Sequence, residues 1–339
     1  MPSMKVMQIQ DAWSPDNIGL AERPIPEPGP GEVLLRMEAA SLNYRDYVMA
    51  RGGYGRRGGT LPLVPCSDGA GRVVRVGAGV SRVAVGDLVC PIFSQTWTSG
   101  PFRDTHWAGT LGGPRDGAMQ EYMVLSQEGV VRAPRHLDAV QAAALPCAAV
   151  TAWHAVVSTA HTKAGDVVLV QGTGGVSLFA LLFAKMHGAR VLATSSSDEK
   201  LERVRAMGAD HVVNYKTNPD WHKVAREVTG GVGVDLVVEV AGTLDASIRA
   251  VRASGTLALI GVLAGASAQL GLGPVVTQNL RLQGVTTGSR EMFEDMVRAM
   301  ELHRTEPPVD ERRFAFEQVG EAIKALPSGH HFGKVCSRF

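Results

Sequence analysis

Gly172-Thr173-Gly174-Gly175-Val176-Ser177 follows directly on Val167-Val168-Leu169-Val170 and precedes a helical stretch from Leu178 to Met186. The β-branched apolar run has the composition of a strand buried on both faces of a parallel sheet. Gly172 permits a tight turn, and Gly174 lets an anionic group come close to the backbone. The free N–H groups and positive dipole end of the following helix then meet that negative charge. With a strand before it and a helix after it, the spacing predicts a dinucleotide pyrophosphate site. Gly172, Thr173, Gly174, Gly175 and Val176 make its contacts. Ser177 takes the place of the third glycine that usually lets helix and strand pack closely, and serine is small enough for that.

The second strand of the unit, Arg190-Val191-Leu192-Ala193, runs into Thr194-Ser195-Ser196-Ser197-Asp198-Glu199-Lys200. An NAD site usually carries Asp or Glu about 20 residues beyond the first glycine, to hold the ribose 2′-hydroxyl. Here Ser195 and Ser196 occupy that place and Lys200 follows. Hydroxyl donors beside a cation suit a 2′-phosphate, which a carboxylate would repel. The pattern predicts NADP(H) in preference to NAD(H), with Lys200 either at the phosphate or a solvated helix lysine. Asp198 and Glu199 are expected to cap the next helix and oppose its dipole.

These residues need a frame. A chain of 339 residues allows about two domains with their own cores. Its 45% apolar and 20% charged residues are ordinary for a soluble protein, and a net charge of +1 gives no footprint for nucleic acid or acidic membranes. Met1 to Gln10 shows no basic segment followed by an apolar core, so a cytoplasmic chain is expected. Cys66, Cys90, Cys147 and Cys336 lack C-x-x-C spacing and read as reduced thiols. Residues 1–130 hold short strands with Gly and Pro punctuation, among them Val33 to Glu38, Gly71 to Gly77, Gly86 to Val89 and Glu121 to Val124. They predict a β-rich, barrel-like domain. Residues 131–288 alternate strands with helices: strands at 167–170, 190–194, 211–213, 235–240 and 256–262, with a sixth at 280–285. This predicts a doubly wound parallel sheet, so the fold class is α/β. An Ala-rich helical region from Asp138 to His154 is expected to be interrupted by Pro146. Residues 289–339, with a helix from Met292 to His303, are expected to return to the first domain. The long segment from Ser94 to Met119 is expected to be a functional covering loop.

Several separately spaced motifs resemble the medium-chain dehydrogenase/reductase superfamily over nearly the whole chain. They are Pro28-Gly29-Pro30-Gly31-Glu32-Val33, Ser41-Leu42-Asn43-Tyr44-Arg45-Asp46, Asp68-Gly69-Ala70-Gly71 and Val85-Gly86-Asp87-Leu88-Val89. Leu145-Pro146-Cys147, Thr151-Ala152-Trp153, the glycine turn and Gly333-Lys334-Val335 complete the order. The resemblance implies a GroES-like catalytic domain, a Rossmann cofactor domain, hydride transfer to a small molecule, and a homodimer. Zinc-bearing members carry a Cys, a His-Glu pair and a second Cys. This chain has Asn43 in the first place and Ser67-Asp68 in the second; Cys147 alone keeps a ligand type. A catalytic zinc needs three protein ligands and a water, so no metal is expected and the chain is similar to the zinc-independent quinone and enoyl reductase branches. Asp104 and His106, in the long loop, are expected to be surface residues.

Without a Lewis acid, developing negative charge needs hydrogen-bond donors. Asn43 either orients the nicotinamide ribose or substrate, or serves the turn before Tyr44. Tyr54, eleven residues on, matches by resemblance the tyrosine of metal-free enoyl and quinone reductases; otherwise it is a glycine-flanked surface residue. Tyr44 and Tyr47 read as packing residues. Thr151 either contacts the nicotinamide or caps a helix. By resemblance, Tyr215 lies near the adenosine ribose, and Gly242 with the turn Ile260-Gly261-Val262 borders the nicotinamide side. Lys334 either reaches the site from the tail or is solvated. The reading is an NADPH-dependent reductase of a quinone, activated alkene or carbonyl. A metal-free alcohol dehydrogenase and a cofactor-binding protein with little catalysis are the alternatives.

Overall fold

The computed structural model describes all residues except Met1, Val262, Ala264 and Ala266. In chain order the strands are β1 Ser3–Ile9, β2 Ile18–Pro24, β3 Glu32–Ser41, β4 Asp68–Val76, β5 Leu88–Pro91, β6 Tyr122–Ser126 and β7 Val130–Arg132. Then follow β8 Val167–Gln171, β9 Arg190–Ser195, β10 His211–Asn214, β11 Val234–Glu239, β12 Val251–Leu259, β13 Arg281–Gly284, β14 Val309–Ala315 and β15 Lys334–Arg338. The chain divides into two units, Met1–Val150 with Gly288–Phe339, and Thr151–Thr287.

The first unit is β-rich. β3 is its hub, antiparallel to β4, β6 and β15. Its side chains Val33, Leu35, Met37 and Ala40 lie in a core with Val6, Val73 and Met123. β1 and β2 form a separate antiparallel pair. β15 brings the last residues of the chain onto β3 and is also parallel to β14.

The Ser94–Met119 segment is packed rather than open. Trp97, Leu111 and Met119 are buried, and Trp97 meets Phe102 edge-on at 5.0 Å and stacks on His106 at 5.9 Å. His106 Nδ1 accepts from the Arg103 N–H at 3.0 Å, so this histidine serves its own short 3-10 turn, Asp104–Gly109. Tyr44 departs from the packing role: it is 42% exposed and touches Tyr47 at 5.9 Å between ring centroids.

In the second unit every strand pairing is parallel, in the order β10-β9-β8-β11-β12-β13. Numbered within the unit this is 3-2-1-4-5-6, the Rossmann order, whose reversal point lies between its first and fourth strands, β8 and β11. All five residues of β8 are buried, as its continuous apolar run requires. Several boundaries differ from the sequence expectation; β12 ends at Leu259 rather than 262, and the helix expected from Met292 starts at Arg290. The helix after the glycine turn starts at Gly175 rather than Leu178. β12 starts at Val251, because Val234 pairs with it before a register shift. As expected, the α-helix is interrupted at Pro146: Ala139–Ala143 ends just before it. The Leu145–Ala149 segment widens to a π-turn, a second follows at His154–Thr159, and helical backbone continues through both. No helix among the described residues is long and apolar enough to cross a membrane.

Candidate active site

In the Thr151–Thr287 unit, the chain leaves β8 at Gln171 and turns at Gly172, whose φ of +75° suits glycine alone. Its N–H returns to Thr194 O at 2.8 Å. Gly174 is the N-cap of the helix Gly175–Met186, and no side chain caps that end. A Cβ at Gly172 or Gly174 would meet no described atom within 4 Å, so the turn opens onto free space. Thr173 and Ser177 are buried, and Gly172, Gly174, Gly175 and Val176 are half-buried. Ser177 Oγ donates to Gln171 O at 2.5 Å and ties helix to strand, an active bond where a third glycine would only leave room. Uncapped N–H groups, space above the backbone and the dipole end of a twelve-residue helix fit a pyrophosphate.

The ends of β9 and β10 gather the adenosine-side candidates. Ser195 is buried and its Oγ accepts from Ser197 N–H at 3.4 Å; Ser196 is half-buried. Ser197, not Asp198, is the cap of the helix Asp198–Ala206, accepting the Lys200 N–H at 3.3 Å. Asp198 and Glu199 occupy its first turn, and the Asp198 carboxylate accepts from Asn214 Nδ2 at 2.8 Å. Tyr215 N–H donates to Ser195 O at 3.0 Å, which sets this 42% exposed residue next to the end of β9.

Glu239 organises the strand reversal, a role sequence reading missed. One carboxylate oxygen accepts from the N–H groups of Ala241, Gly242 and Thr243 at 3.1, 2.7 and 3.2 Å. The other accepts from Gln171 Nε2 at 2.9 Å and from the Ser247 hydroxyl. A buried carboxylate thereby finds five donors and holds the ends of β8 and β11 together, with Gly242 in the braced turn. Gly261 lies against Val240, where a Cβ would fall 2.3 Å from the carbonyl oxygen. Val262 lies outside the described residues. Thr151 is no helix cap: it sits inside the continuous helical stretch, 1% exposed, and its Oγ1 has no hydrogen-bond partner among the described residues.

The other unit holds a closed polar ring. Asn43 precedes the helix Tyr44–Ala50, whose cap is made by Asp46: its Oδ2 accepts the Asn43 N–H at 2.7 Å. The Asn43 side chain is therefore not occupied in capping. Its Oδ1 accepts from Lys334 Nζ at 2.5 Å, and its Nδ2 lies 3.5 Å from Ser67 Oγ. Ser67 donates to Asp68 Oδ1 at 2.9 Å, and Asp68 Oδ2 accepts the Cys147 N–H at 3.2 Å and faces Lys334 Nζ at 3.5 Å. Lys334 is 2% exposed and also donates to Leu42 O at 2.7 Å. Of the two sequence readings of this lysine, solvation does not hold: Lys334 comes from the tail to Asn43, and its ammonium is taken up by protein partners. Gly333 positions it. With φ +76° and a would-be Cβ 2.0 Å from Pro308 O, only glycine fits there.

Arg45, quoted in a motif but given no role, stands beside this ring. Its guanidinium lies 5.6 Å from the Tyr54 ring centroid and 4.8 Å from that of Phe93, and donates to Leu111 O at 2.9 Å. Tyr54 is half-buried; burial raises its phenol pKa, and the Arg45 charge opposes this. Asp46 is 1% exposed, and its Oδ1 has no hydrogen-bond partner, only Arg45 Nη1 at 3.7 Å. Burial pushes its carboxyl up to about 6 against the Arg45 charge. Burial, reinforced by the Asp68 carboxylate, pushes the Cys147 thiol up to about 12.

These donors do not fit zinc. Asn43 and Asp68 already hold an ammonium, Ser67 is a hydroxyl donor to Asp68, and Cys147 favours the thiol over the thiolate that binds metal. A divalent ion would also meet the positive charge of Lys334.

Residues 29–135 match the model of the alcohol dehydrogenase GroES-like domain, and residues 175–301 that of the zinc-binding dehydrogenases. A zinc-type alcohol dehydrogenase-like protein of Schizosaccharomyces pombe is 43% identical, with 90% of each chain covered. An NADPH-dependent alkenal/one oxidoreductase of Arabidopsis thaliana is 29% identical over 92% of this chain and 73% of its own. Among solved structures, a Sinorhizobium meliloti protein assigned to the alcohol dehydrogenases superposes with a TM-score of 0.94 at 41% identity, over 100% of this chain and 99% of that one. With its parallel nucleotide-binding sheet and β-rich GroES-like part, the chain belongs to the medium-chain dehydrogenase/reductase superfamily of nucleotide-dependent oxidoreductases.

Proposed function

We propose that the protein reduces activated alkenes conjugated to a carbonyl, and quinones, with NADPH and without a catalytic metal. The observation that carries this reading is the ring of Asn43, Ser67, Asp68 and Lys334, in which a buried ammonium holds the Asn43 amide at positions where, by the resemblance, metal-dependent members carry zinc ligands. Gly172 to Val176 and the helix behind them would hold the pyrophosphate. Ser195, Ser196, Lys200 and Tyr215 would meet the adenosine ribose and its 2′-phosphate. Gly242, Gly261 and the unpartnered Thr151 hydroxyl would meet the nicotinamide side. The cofactor supplies the hydride. In an enone that hydride enters at the β-carbon, and negative charge develops on the carbonyl oxygen. The Asn43 side-chain amide and the Tyr54 hydroxyl are the donors for that oxygen, and Tyr54 or water returns the proton. The Arabidopsis relative's substrate class supports the same reading.

A homodimer fits the surface of the second unit. β13 has one unpaired edge in the sheet order, and Leu272 and Val276, four apart on the helix Leu272–Thr277, are 66% and 71% exposed.

The test is oxidation of NADPH with a panel of enones, quinones and alcohols, run in chelator on protein assayed for metal. Turnover of enones or quinones by metal-free protein is expected. Activity confined to alcohols, or lost with stoichiometric zinc, would overturn the proposal.

A further inference from the structure

We infer that Lys334 is a positioning residue for this reaction: its ammonium turns the Asn43 amide so that the N–H groups face substrate oxygen. The inference rests on the proposed reductase reading. An ammonium has donors only, so the atom of Asn43 that lies 2.5 Å from Lys334 Nζ must be the amide oxygen. That fixes which way round the amide sits, a choice that otherwise turns on weaker contacts. The NH₂ group is left with a single long contact, 3.5 Å to Ser67 Oγ, and keeps a second N–H unassigned. The helix makes no competing demand, because Asp46 supplies the cap.

The lysine is itself immobilised. Leu42 O accepts a second of its donors, the Asp68 carboxylate pairs with its charge at 3.5 Å, Asp68 is steadied by Ser67 and the Cys147 N–H, and Gly333 sets the backbone. A hydrogen bond from a cation to an amide oxygen also draws electron density from the nitrogen and strengthens its N–H donors. The sequence separation of 291 residues shows that this contact is made by the fold, not by local turn chemistry.

The experiment compares Asn43→Ala, the paired change Lys334→Met with Asp68→Asn, and all three together, with an enone and NADPH. Removing both charges at once avoids a lone buried carboxylate, so the protein should fold. Loss of a direct oxyanion donor costs on the order of 10²-fold in kcat. Loss of its support should cost about 10-fold or more, with the NADPH Kd unchanged. The triple variant should be no slower than Asn43→Ala, because the lysine acts through the asparagine. Losses that multiply would overturn the inference. A second readout is independent of turnover: with asparagine-selective ¹⁵N labelling, the Asn43 side-chain amide signals should shift and exchange faster in the paired variant. Unchanged signals would overturn it equally. A wild-type protein that turns over no enone or quinone defeats the reductase reading instead, and the amide signals still decide the geometry.

Discussion

Replacing Asp46 by asparagine should make the first unit more stable at neutral pH and change little in acid. The carboxyl is 1% exposed, one oxygen accepts the Asn43 N–H, and the other has only the Arg45 guanidinium at 3.7 Å. Burial raises its pKa from 3.8 to about 6 in spite of that cation. The folded protein therefore holds the proton more tightly than the unfolded chain does. Its contribution to stability is fully present below pH 3.8 and is lost as pH rises through about 6. At about 1.4 kcal/mol for each tenfold change in proton affinity, the loss is about 3 kcal/mol. Asparagine keeps the shape and can still accept the Asn43 N–H, but never ionises. The stability difference, variant minus wild type, should rise by about 3 kcal/mol between about pH 4 and pH 8. Other carboxylates titrate in both proteins and cancel. Because the chain has two units, amide exchange read in the helix Tyr44–Ala50 reports the relevant one more directly than a single unfolding curve. A difference that stays flat across this range would show that Asp46 is not buried as described. A difference that falls with pH would show that the Arg45 pairing outweighs desolvation.

Tyr54→Phe should slow enone reduction by roughly 10²–10⁴-fold in single-turnover experiments while leaving NADPH binding intact; equal rates would make Tyr54 a loop residue. Quinone reduction should suffer less, since water can protonate the product after hydride arrives. Wild-type protein should bind NADPH more tightly than NADH, and Lys200→Ala should cost roughly 1.5–3 kcal/mol for NADPH only, read by fluorescence titration. Equal wild-type affinities would refute the reading of Ser195, Ser196 and Lys200. Glu239→Gln sets an amide NH₂ against a ring of donors and should destabilise the second unit by about 2–4 kcal/mol, visible in a thermal scan. An unchanged Tm would mean that the Gln171–Ser247 side of the network is not held as described.

The nucleotide half of the protein was legible because its signals are local. β8, the glycine turn and its helix lie within one short stretch, and buried parallel strands write themselves as continuous apolar runs. The strand order follows from alternating strands and helices under the handedness rule. The polar ring around Lys334 was not legible in the same way. Asn43, Ser67 and Asp68 were noticed for what they lack as zinc ligands, but what they bind instead is a lysine 291 residues from Asn43. No spacing rule reports such a pairing. Lys334 carried a weak signal in the preceding Gly333, whose positive φ and close approach to Pro308 are specific. Glu239 escaped because its five donors come mostly from backbone N–H groups of the turn after it, and backbone donors have no residue-type signature. Pro146 interrupts the α-helix as its ring and missing N–H predict, but the π-turn that resumes the helical backbone there has no residue-type signature.

The place of β15 has a consequence for the order in which the protein matures during synthesis. Thr151–Thr287 is one contiguous stretch, complete before the last strand leaves the ribosome, whereas the other unit is built from segments on either side of it. Until Lys334 emerges, Asp68 has no cation to face, and Asn43 has nothing to fix its amide. A nascent chain can thus acquire its parallel sheet while the polar ring of the other unit is still unassembled. β15 acts as a completion step: it lays down the third neighbour of β3 and, in the same stroke, closes the polar ring.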